Sequence, residues 1–427
     1  MGSALPSYEE AAALVAAYAG TLMRRRPSAE RAELGQTPGR VLAQPLIADC
    51  DQPPFARSTR DGYACRATEA SAHLPLLIAG TTRAGQAAAG PLPEGAAWEI
   101  MTGAAVPAGA DAVVMLEHVE AASGPTSRRV RLLPQRRVAA GENIVAQGAQ
   151  ASRGDELLPA GTEITSAQVA LAAACGYVNL EVFVRPRVAI LTTGDEVVPV
   201  DSVPAPGQIR NSNGPMLAAM VAAAGGEPWV LPTAGDDRDA LDAAVAHAIE
   251  ADLLLITGGV SAGKFDLVEP ALARAGGRFH FTGVRIQPGK PAVFGELPTK
   301  KANAVGRGNG GKLPFFGLPG NPVSSAVTFL LFAAPVLAAL SGRLNRGPRI
   351  ALARLSAEVK GKTDLTRFLP AHCTFGEPAG QMPKVAPVPW QGSGDLTALA
   401  QSNCFLVLPE ADHKHFEAGD IVRVLLS

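Results

Sequence analysis

The strongest constraint on the fold is the alternation of apolar, strand-like segments with helical segments between residues 187 and 341. The segments are strand 187–192, helix 214–224, strand 229–231, helix 238–250 and strand 252–256. This alternation predicts a parallel sheet that is covered by helices on both faces. Because the turns at the carboxyl ends of neighbouring parallel strands converge on one crevice, we expect a single functional cleft at that edge of the sheet.

Four turns rich in glycine or proline follow the apolar segments and are the expected walls of the cleft. They are Thr193-Gly194-Asp195-Glu196, Thr257-Gly258-Gly259-Val260-Ser261, Pro288-Gly289-Lys290-Pro291 and Leu318-Pro319-Gly320-Asn321-Pro322. Exposed backbone amides in such turns, together with a lysine, suit a phosphate group. The four turns therefore predict a site for a small ligand that carries phosphate.

Carboxylates near the first turn have two interpretations. Asp195 and Glu196 directly follow a strand, where they can hold a divalent cation or accept hydrogen bonds from a ligand. They can also cap a helix, and taken alone this second interpretation is the stronger, because the helix dipole stabilises acids at helix starts. Asp236 has the same two interpretations.

The remaining turns differ in how specific they are. The glycine pair Gly258-Gly259 allows a phosphate to approach the main chain without a Cβ clash, although a tight turn also explains it. The spacings of a P-loop and of a dinucleotide-binding motif are both absent. Asp266 is placed to reach a metal or a substrate amine, and Lys290 is either a point charge on phosphate or merely solvated. At Pro322 a helix begins whose first amides are open to an anion.

Length and charge limit the class of protein. The 427 residues are too many for one ordinary core and suggest about three domains, or four if some are small. The 38 Lys and Arg residues nearly balance the 39 Asp and Glu residues, so no overall field attracts nucleic acid or an acidic membrane. A small anionic substrate fits this composition better than a polymer.

The cysteines and one apolar segment bear on the compartment. The five cysteines are scattered without a CxxC pair, and we expect free thiols in a reducing cytoplasm. Residues 323–340 barely reach the length of a membrane span and contain Ser324, Ser325, Thr328 and Pro335. We therefore interpret this segment as a buried helix.

Taken together, six motifs closely resemble the molybdopterin molybdenumtransferase family, which includes MoeA and the gephyrin E-domain. In chain order they are Asp61-Gly62-Tyr63-Ala64, Met101-Thr102-Gly103-Ala104, Thr193-Gly194-Asp195-Glu196, Gly258-Gly259-Val260-Ser261 with Asp266, Pro288-Gly289-Lys290-Pro291 and Leu318-Pro319-Gly320-Asn321-Pro322. The late segment Gln391-Gly392-Ser393-Gly394-Asp395-Leu396 also matches. The resemblance covers nearly the whole chain, and six ordered motifs are far more specific than any one of them.

The resemblance implies a multidomain α/β fold with four parts. These are a central parallel α/β domain of MogA type (8–28 and 185–344), a small α/β connector (29–48 and 153–184), a β-rich lid domain (49–152) and a C-terminal β-barrel (345–427). From the residues alone, the terminal β segments fit either a barrel or a sandwich.

The resemblance also implies an activity. A member of this family is a cytoplasmic, elongated homodimer that uses Mg²⁺ to insert molybdenum from molybdate into adenylylated molybdopterin, and it releases AMP and molybdenum cofactor. Its further partners would be a molybdopterin adenylyltransferase and molybdoenzymes, with no nucleic acid and no membrane.

The same resemblance assigns roles to residues. The catalytic set is Asp61, Thr102, Glu196, Asp236 and Asp266, and the metal ligands are Glu196, Asp236 and Asp266. The substrate-binding set is Thr193, Gly194, Asp195, Gly258, Gly259, Ser261, Lys290, Pro319, Gly320, Asn321 and Pro322. In this family the β-rich domain, which carries Asp61 and Thr102, closes the site across the dimer.

Two departures from the family pattern leave further interpretations open. The segment Gly141-Glu142-Asn143-Ile144 continues through residues 145–150 without the basic residue and acidic turn that members usually have, and Gln287 stands where some members have a base. A slower enzyme, a paralogue that prefers another oxoanion such as tungstate, and a member that binds ligand without turnover are therefore all compatible with the sequence. An adenylyl-transfer enzyme and a binding scaffold are also compatible with it, and the retained acids favour chemistry.

Overall fold

The computed structural model describes residues 5–22, 27–86, 90–122, 128–259, 267–299, 311–344, 347–374, 382–410 and 415–427. The chain forms two compact units. The first contains residues 1–43, 161–166 and 179–427, and the second contains residues 44–160 and 167–178. Each unit has its own hydrophobic clusters, and the largest lies in the first unit.

A six-stranded sheet is the centre of the first unit. Its order is Glu227–Val230, Arg187–Thr192, Leu253–Thr257, Lys312–Leu318, Val293–Pro298 and Arg278–Thr282. The first four strands are parallel, as predicted. Val293–Pro298 runs antiparallel to both of its neighbours, Lys312–Leu318 and Arg278–Thr282, so the sheet is mixed where the sequence predicts a parallel one. The physical reason is that Val293–Pro298 and Lys312–Leu318 are consecutive strands that pair directly with each other, from Val293 with Gly317 to Pro298 with Lys312.

The segment 302–312 is rich in Asn and Gly, a composition that predicts a surface hairpin loop. Residues 302–310 lie outside the described part of the chain. The strands on either side pair from Pro298 to Lys312, and the amide of Thr299 donates to the carbonyl of Gly311 at 2.7 Å.

Helices of the first unit cover the sheet. They are Tyr8–Leu22, Asn213–Ala223, Arg238–Ala248, Val268–Arg274 and the long helix Pro322–Leu340, which contains a π-helical turn at Phe329–Ala333. The long helix is apolar enough to span a membrane by length and composition, yet 83% of its apolar window is buried inside the structure. Its residues belong to the largest core cluster, so the interpretation as a buried helix is confirmed.

The C-terminal part of the first unit is a closed barrel. Five strands form the ring, namely Ile350–Leu355, Thr366–Thr374, Lys384–Pro387, Cys404–Leu408 and Ile421–Leu426. Closure comes from the pairing of Thr366–Thr374 with Cys404–Leu408. Of the two predicted arrangements, the barrel is therefore the observed one. The short strand Ile286–Gln287, which directly precedes the turn at Pro288, pairs in parallel with Thr366 and Arg367 at the start of a barrel strand.

Shorter elements complete the first unit. They are the antiparallel pair Ala29–Glu33 with Asn179–Phe183, the parallel pair Val197–Val198 with Ile209–Arg210, the antiparallel pair Val359–Lys360 with His415–Phe416, and the helix Leu396–Gln401.

The second unit is built on a β-sheet of six strands. Their order is Ala112–Met115, Gly62–Cys65, Ala96–Ile100, Leu76–Thr82, Arg129–Leu132 and Val119–Ala121. The strand pairs Leu46–Ile47 with Glu156–Leu158 and Arg57–Ser58 with Ile144–Val145, and the helices Ala67–Ser71 and Ser166–Ala174, also belong here. A Cβ on Gly62 would lie 2.0 Å from the carbonyl oxygen of Val114, so only glycine fits at that crossing of two strands.

Candidate functional site

A cleft of about 710 Å³ opens at the carboxyl edge of the parallel strands, where the sequence predicts it. All four predicted turns contribute to its wall. Their lining residues are Thr193, Gly194 and Glu196, then Thr257, Gly258 and Gly259, then Pro288, Gly289, Lys290 and Pro291, and finally Pro319, Gly320 and Asn321. Asp236 also lines the cleft, whereas Asp195 and Pro322 do not.

Backbone hydrogen bonds join three of these turns to one another. Thr193 donates its amide to the carbonyl of Thr257 at 3.0 Å, and Gly258 donates to the carbonyl of Leu318 at 3.3 Å. The turns are thus extensions of the sheet ladder, which fixes their relative positions.

Glycine is required at position 258 by packing within the protein. Its φ is +96°, and a Cβ there would lie 2.4 Å from the carbonyl oxygen of Thr193. Gly259 has a φ of +58° and would meet the Thr193 hydroxyl at 3.0 Å. The tight-turn interpretation therefore explains both glycines by itself. The close turn also leaves the amide of Gly259 without an acceptor in the described part of the chain.

The acids of the first turn are arranged around a second loop. Asp195 accepts a hydrogen bond from the amide of Asp236 at 2.9 Å, so it positions that loop although it lies outside the cleft wall. Partial desolvation raises the pKa of the largely exposed Asp236 carboxyl, and the negative charges of Asp195 and Glu196 raise it further. The nearby negative charges raise the pKa because they destabilise the ionised form of Asp236.

This acidic group suits a divalent cation, because a cation relieves the repulsion that raises the Asp236 pKa. Within the described ranges, no three His, Cys, Asp or Glu side chains come together as a ready metal site. Two residues expected to contribute here, Ser261 and Asp266, lie outside those ranges. Glu196 and Asp236 are the expected ligands whose positions are described.

Lys290 lies exposed on the cleft wall, beside Gly289. The φ of Gly289 is +112°, and a Cβ there would lie 2.7 Å from the Cγ2 of Thr328. Gln287 also lines the cleft, and its Oε1 is buried without a partner among the described residues. The loop therefore presents one cation and one neutral amide to the cleft.

The helix that begins at Pro322 differs from the prediction. Pro322 has no amide hydrogen, and the next amide, that of Val323, donates to the carbonyl of Ser393 at 3.0 Å, so this one amide is not open to an anion as expected. The side-chain amide of Asn321 donates to the hydroxyl of Ser393 at 2.8 Å. The reason for the difference is tertiary, because a loop of the C-terminal barrel covers this helix end.

Sequence reasoning missed several lining residues. Trp390, Gly392 and Ser393 come from the barrel, and Asn211 and Asn213 come from the start of the helix Asn213–Ala223. Gly392 and Ser393 fall within the late family motif, to which no role had been given. The asparagines lie on either side of Ser212 before an apolar helix, a pattern typical of an ordinary helix start.

Asp61 and Thr102 lie together in the second unit and are not among the residues that line this cleft. Thr102 donates both its amide and its hydroxyl to Oδ1 of Asp61, at 2.6 and 2.8 Å. These two bonds, the backbone one being the larger influence, hold the pKa of the Asp61 carboxyl below its usual range. In this predicted pair, Asp61 is thus an ionised carboxylate whose orientation is fixed by Thr102.

Family models match three consecutive parts of the chain. The MoeA N-terminal region (domains I and II) matches residues 6–176, a probable molybdopterin binding domain matches residues 189–339, and the MoeA C-terminal region (domain IV) matches residues 352–427.

Named relatives cover most of the chain. A molybdopterin molybdenumtransferase of a Nostoc species is 34% identical over 394 residues, which is 89% of this chain and 85% of the relative. The molybdopterin molybdenumtransferase of Bacillus subtilis is 35% identical over 395 residues, with 91% and 87% covered. The crystal structure of a molybdopterin biosynthesis MoeA protein from Pyrococcus horikoshii superposes with a TM-score of 0.77 at 28% identity and covers 99% of this chain and 100% of that one.

Proposed function

The chain belongs to the molybdopterin molybdenumtransferase family, and we propose that its cleft binds adenylylated molybdopterin and molybdate as substrates. As an enzyme of this family it is a transferase that inserts molybdenum during molybdenum cofactor biosynthesis. The observation that carries the assignment to this cleft is the convergence of four motif turns on one cavity of about 710 Å³. The alternative activity, that of a molybdopterin adenylyltransferase, is not better supported than molybdenum insertion.

The chemistry of the wall supports a phosphate-bearing substrate. The amides of Gly259, Gly320 and Asn321 donate to no acceptor in the part of the chain that is described, and Lys290 adds a positive charge beside them. Free amides and a lysine are the groups that phosphate binds. We assign the phosphoanhydride of the substrate to this side of the cleft.

The acids on the cleft wall are assigned to binding a metal ion. Glu196 and Asp236 would hold Mg²⁺, whose contribution when bound is to neutralise charge on the phosphoanhydride. Asp195 holds the amide of Asp236 and so positions this loop. The roles proposed for Asp266 and Ser261 rest on the sequence alone, because both residues lie outside the described part of the chain.

The proposed reaction has two parts. Water cleaves the phosphoanhydride, which yields AMP and molybdopterin. The two thiol protons of the pterin dithiolene then leave with one oxide ligand of molybdate as water, while two molybdenum–sulfur bonds form. We also assign Asp61 and Thr102 to this reaction.

We propose that the protein forms a homodimer. Its proposed protein partners are a molybdopterin adenylyltransferase and molybdoenzymes. The five free cysteines support a cytoplasmic location.

The test uses purified protein, adenylylated molybdopterin, Mg²⁺ and either molybdate or tungstate. Transfer of the product to an apo-molybdoenzyme measures active cofactor, and chromatography measures AMP. We expect molybdate to give active cofactor with release of AMP. Tight binding without release of AMP would overturn the catalytic proposal, and formation of a metal–dithiolene complex with tungstate alone would assign a different oxoanion.

A further inference from the structure

The side chain of Asn213 connects two of the turns that line the cleft. Its Nδ2 donates to the hydroxyl of Thr257 at 2.8 Å and to the carbonyl of Gly320 at 2.6 Å. Thr257 ends one parallel strand, and Gly320 lies in the turn after the next strand. One amide nitrogen therefore joins the ends of two neighbouring strands.

The orientation of this amide is determined by its partners. The Gly320 oxygen is a backbone carbonyl and can only accept, so the atom that faces it must be the nitrogen. The opposite end of the amide, Oδ1, is buried and has no partner among the described residues. The two donated bonds are thus the interactions that this side chain contributes.

The surrounding groups form a buried polar network. Thr257 and Ser325 are fully buried, their hydroxyls are 3.1 Å apart, and Asn213 is 7% exposed. The Thr257 hydroxyl also lies 3.3 Å from the carbonyl of Pro319. Buried polar networks are rigid when their bonds are made, and they are costly to break.

The two turns that this network joins are in direct contact. A Cβ at Gly320 would lie 3.5 Å from the Cα of Gly258, so the glycine turns pack against each other. They also carry the amides of Gly259, Gly320 and Asn321, which have no acceptor in the described segments. The spacing of the turns therefore sets the spacing of these donors.

We propose that Asn213 is a positioning residue, which holds the turns at Gly258 and Gly320 at the separation that a phosphate group requires. This inference rests on the proposed function of the cleft as a site for an adenylylated substrate. Asn213 acts through the backbone amides of the two turns and needs no contact with the ligand.

The test measures binding of AMP by calorimetry to the full-length protein and to Asn213→Ala, with circular dichroism to count folded molecules. We expect binding to be weaker by about tenfold, because two donated bonds that fix the donors are lost. Asn403→Ala is the matched control. Asn403 clamps the barrel by donating to the carbonyl of Cys373 and accepting from its amide, and it lies outside the cleft wall. It should lose stability without losing affinity for AMP.

A second variant separates positioning from a general loss of structure. In Asn213→Asp, the protonated carboxyl can donate to the Gly320 carbonyl and the ionised one cannot. The affinity of this variant relative to the native protein should therefore rise as the pH falls, whereas the ratio for Asn213→Ala should stay constant. The comparison of Asn213→Asp with the native protein can be made even if Asn213→Ala does not fold.

The outcomes are distinguishable. Native-like affinity for AMP in folded Asn213→Ala, or a ratio for Asn213→Asp that does not change with pH, would overturn the positioning role. If the native protein itself binds no AMP and forms no cofactor, the proposed function fails first. If the native protein does both and Asn213→Ala matches it, only the positioning role fails.

Discussion

Thr102 donates two hydrogen bonds to a single oxygen of Asp61, one from its amide at 2.6 Å and one from its hydroxyl at 2.8 Å. Both bonds favour the ionised carboxylate and lower its pKa. The stabilisation that they provide is therefore present above the unfolded pKa and is lost as the pH falls through the lower folded value. Thr102→Val keeps the shape and the amide bond but removes the hydroxyl. We expect the Asp61 pKa to rise part of the way towards its ordinary value in a carboxyl-carbon NMR titration. An unchanged pKa would contradict the role given to the hydroxyl.

Asp236→Asn should have opposite effects on stability and on cation binding. The raised pKa shows that the folded protein disfavours the ionised carboxylate, so removing the charge stabilises the fold at pH values above that pKa. The gain should be at most about 0.5 kcal/mol, because Asp236 is exposed. Binding of Mn²⁺, used as a paramagnetic substitute for Mg²⁺, should weaken.

Asp201→Asn is the control, since Asp201 is exposed and does not line the cleft. It should leave Mn²⁺ binding unchanged. Equal Mn²⁺ affinity in Asp236→Asn and the native protein would exclude Asp236 as a ligand.

Gly258→Ala should be strongly destabilising. The residue has a φ of +96°, and its Cβ would lie 2.4 Å from the Thr193 carbonyl oxygen, so both strain and a backbone clash arise. We expect a loss of about 3 kcal/mol in the free energy of unfolding, measured with urea. Gly85→Ala has a similar φ of +82° but open space, so it should cost only about 1 kcal/mol. Equal losses would mean that the clash is relieved by movement of the turn.

Trp390 should report ligand binding by its fluorescence. It is half-buried and lines the cleft, whereas Trp98 is buried in the second unit and Trp229 packs beneath Arg187. Addition of AMP should change the emission of the native protein and leave that of Trp390→Phe unchanged. A full signal in Trp390→Phe would place the nucleotide elsewhere.

The position of the cleft could be predicted because strand ends and turns are local features. The glycine and proline turns at Gly258 and Pro319 follow apolar strands, and the rule for parallel sheets brings them to one edge. The acids near Glu196 and the cation Lys290 were found in the same way. The chemistry of these residues is visible in the sequence because it depends on short motifs.

The remaining features depend on contacts between distant segments. Ser393 reaches the amide of Val323 from the barrel, 70 positions further along the chain, and no local pattern indicates that contact. Asn213 resembles an ordinary helix start until the structure shows its bond to Gly320. The strand Arg278–Thr282 was not predicted, and the sequence alone does not specify its antiparallel pairing with Val293–Pro298.

A single-turnover measurement of AMP release and cofactor formation, with purified protein, adenylylated molybdopterin, Mg²⁺ and molybdate, tests the assignment of the reaction to this cleft. The native protein and Asp201→Asn should release AMP and deliver active cofactor to an apo-molybdoenzyme. Glu196→Gln should fold and release little AMP, because a proposed cation ligand is lost from the cleft wall. Native rates of cofactor formation in Glu196→Gln would contradict that assignment.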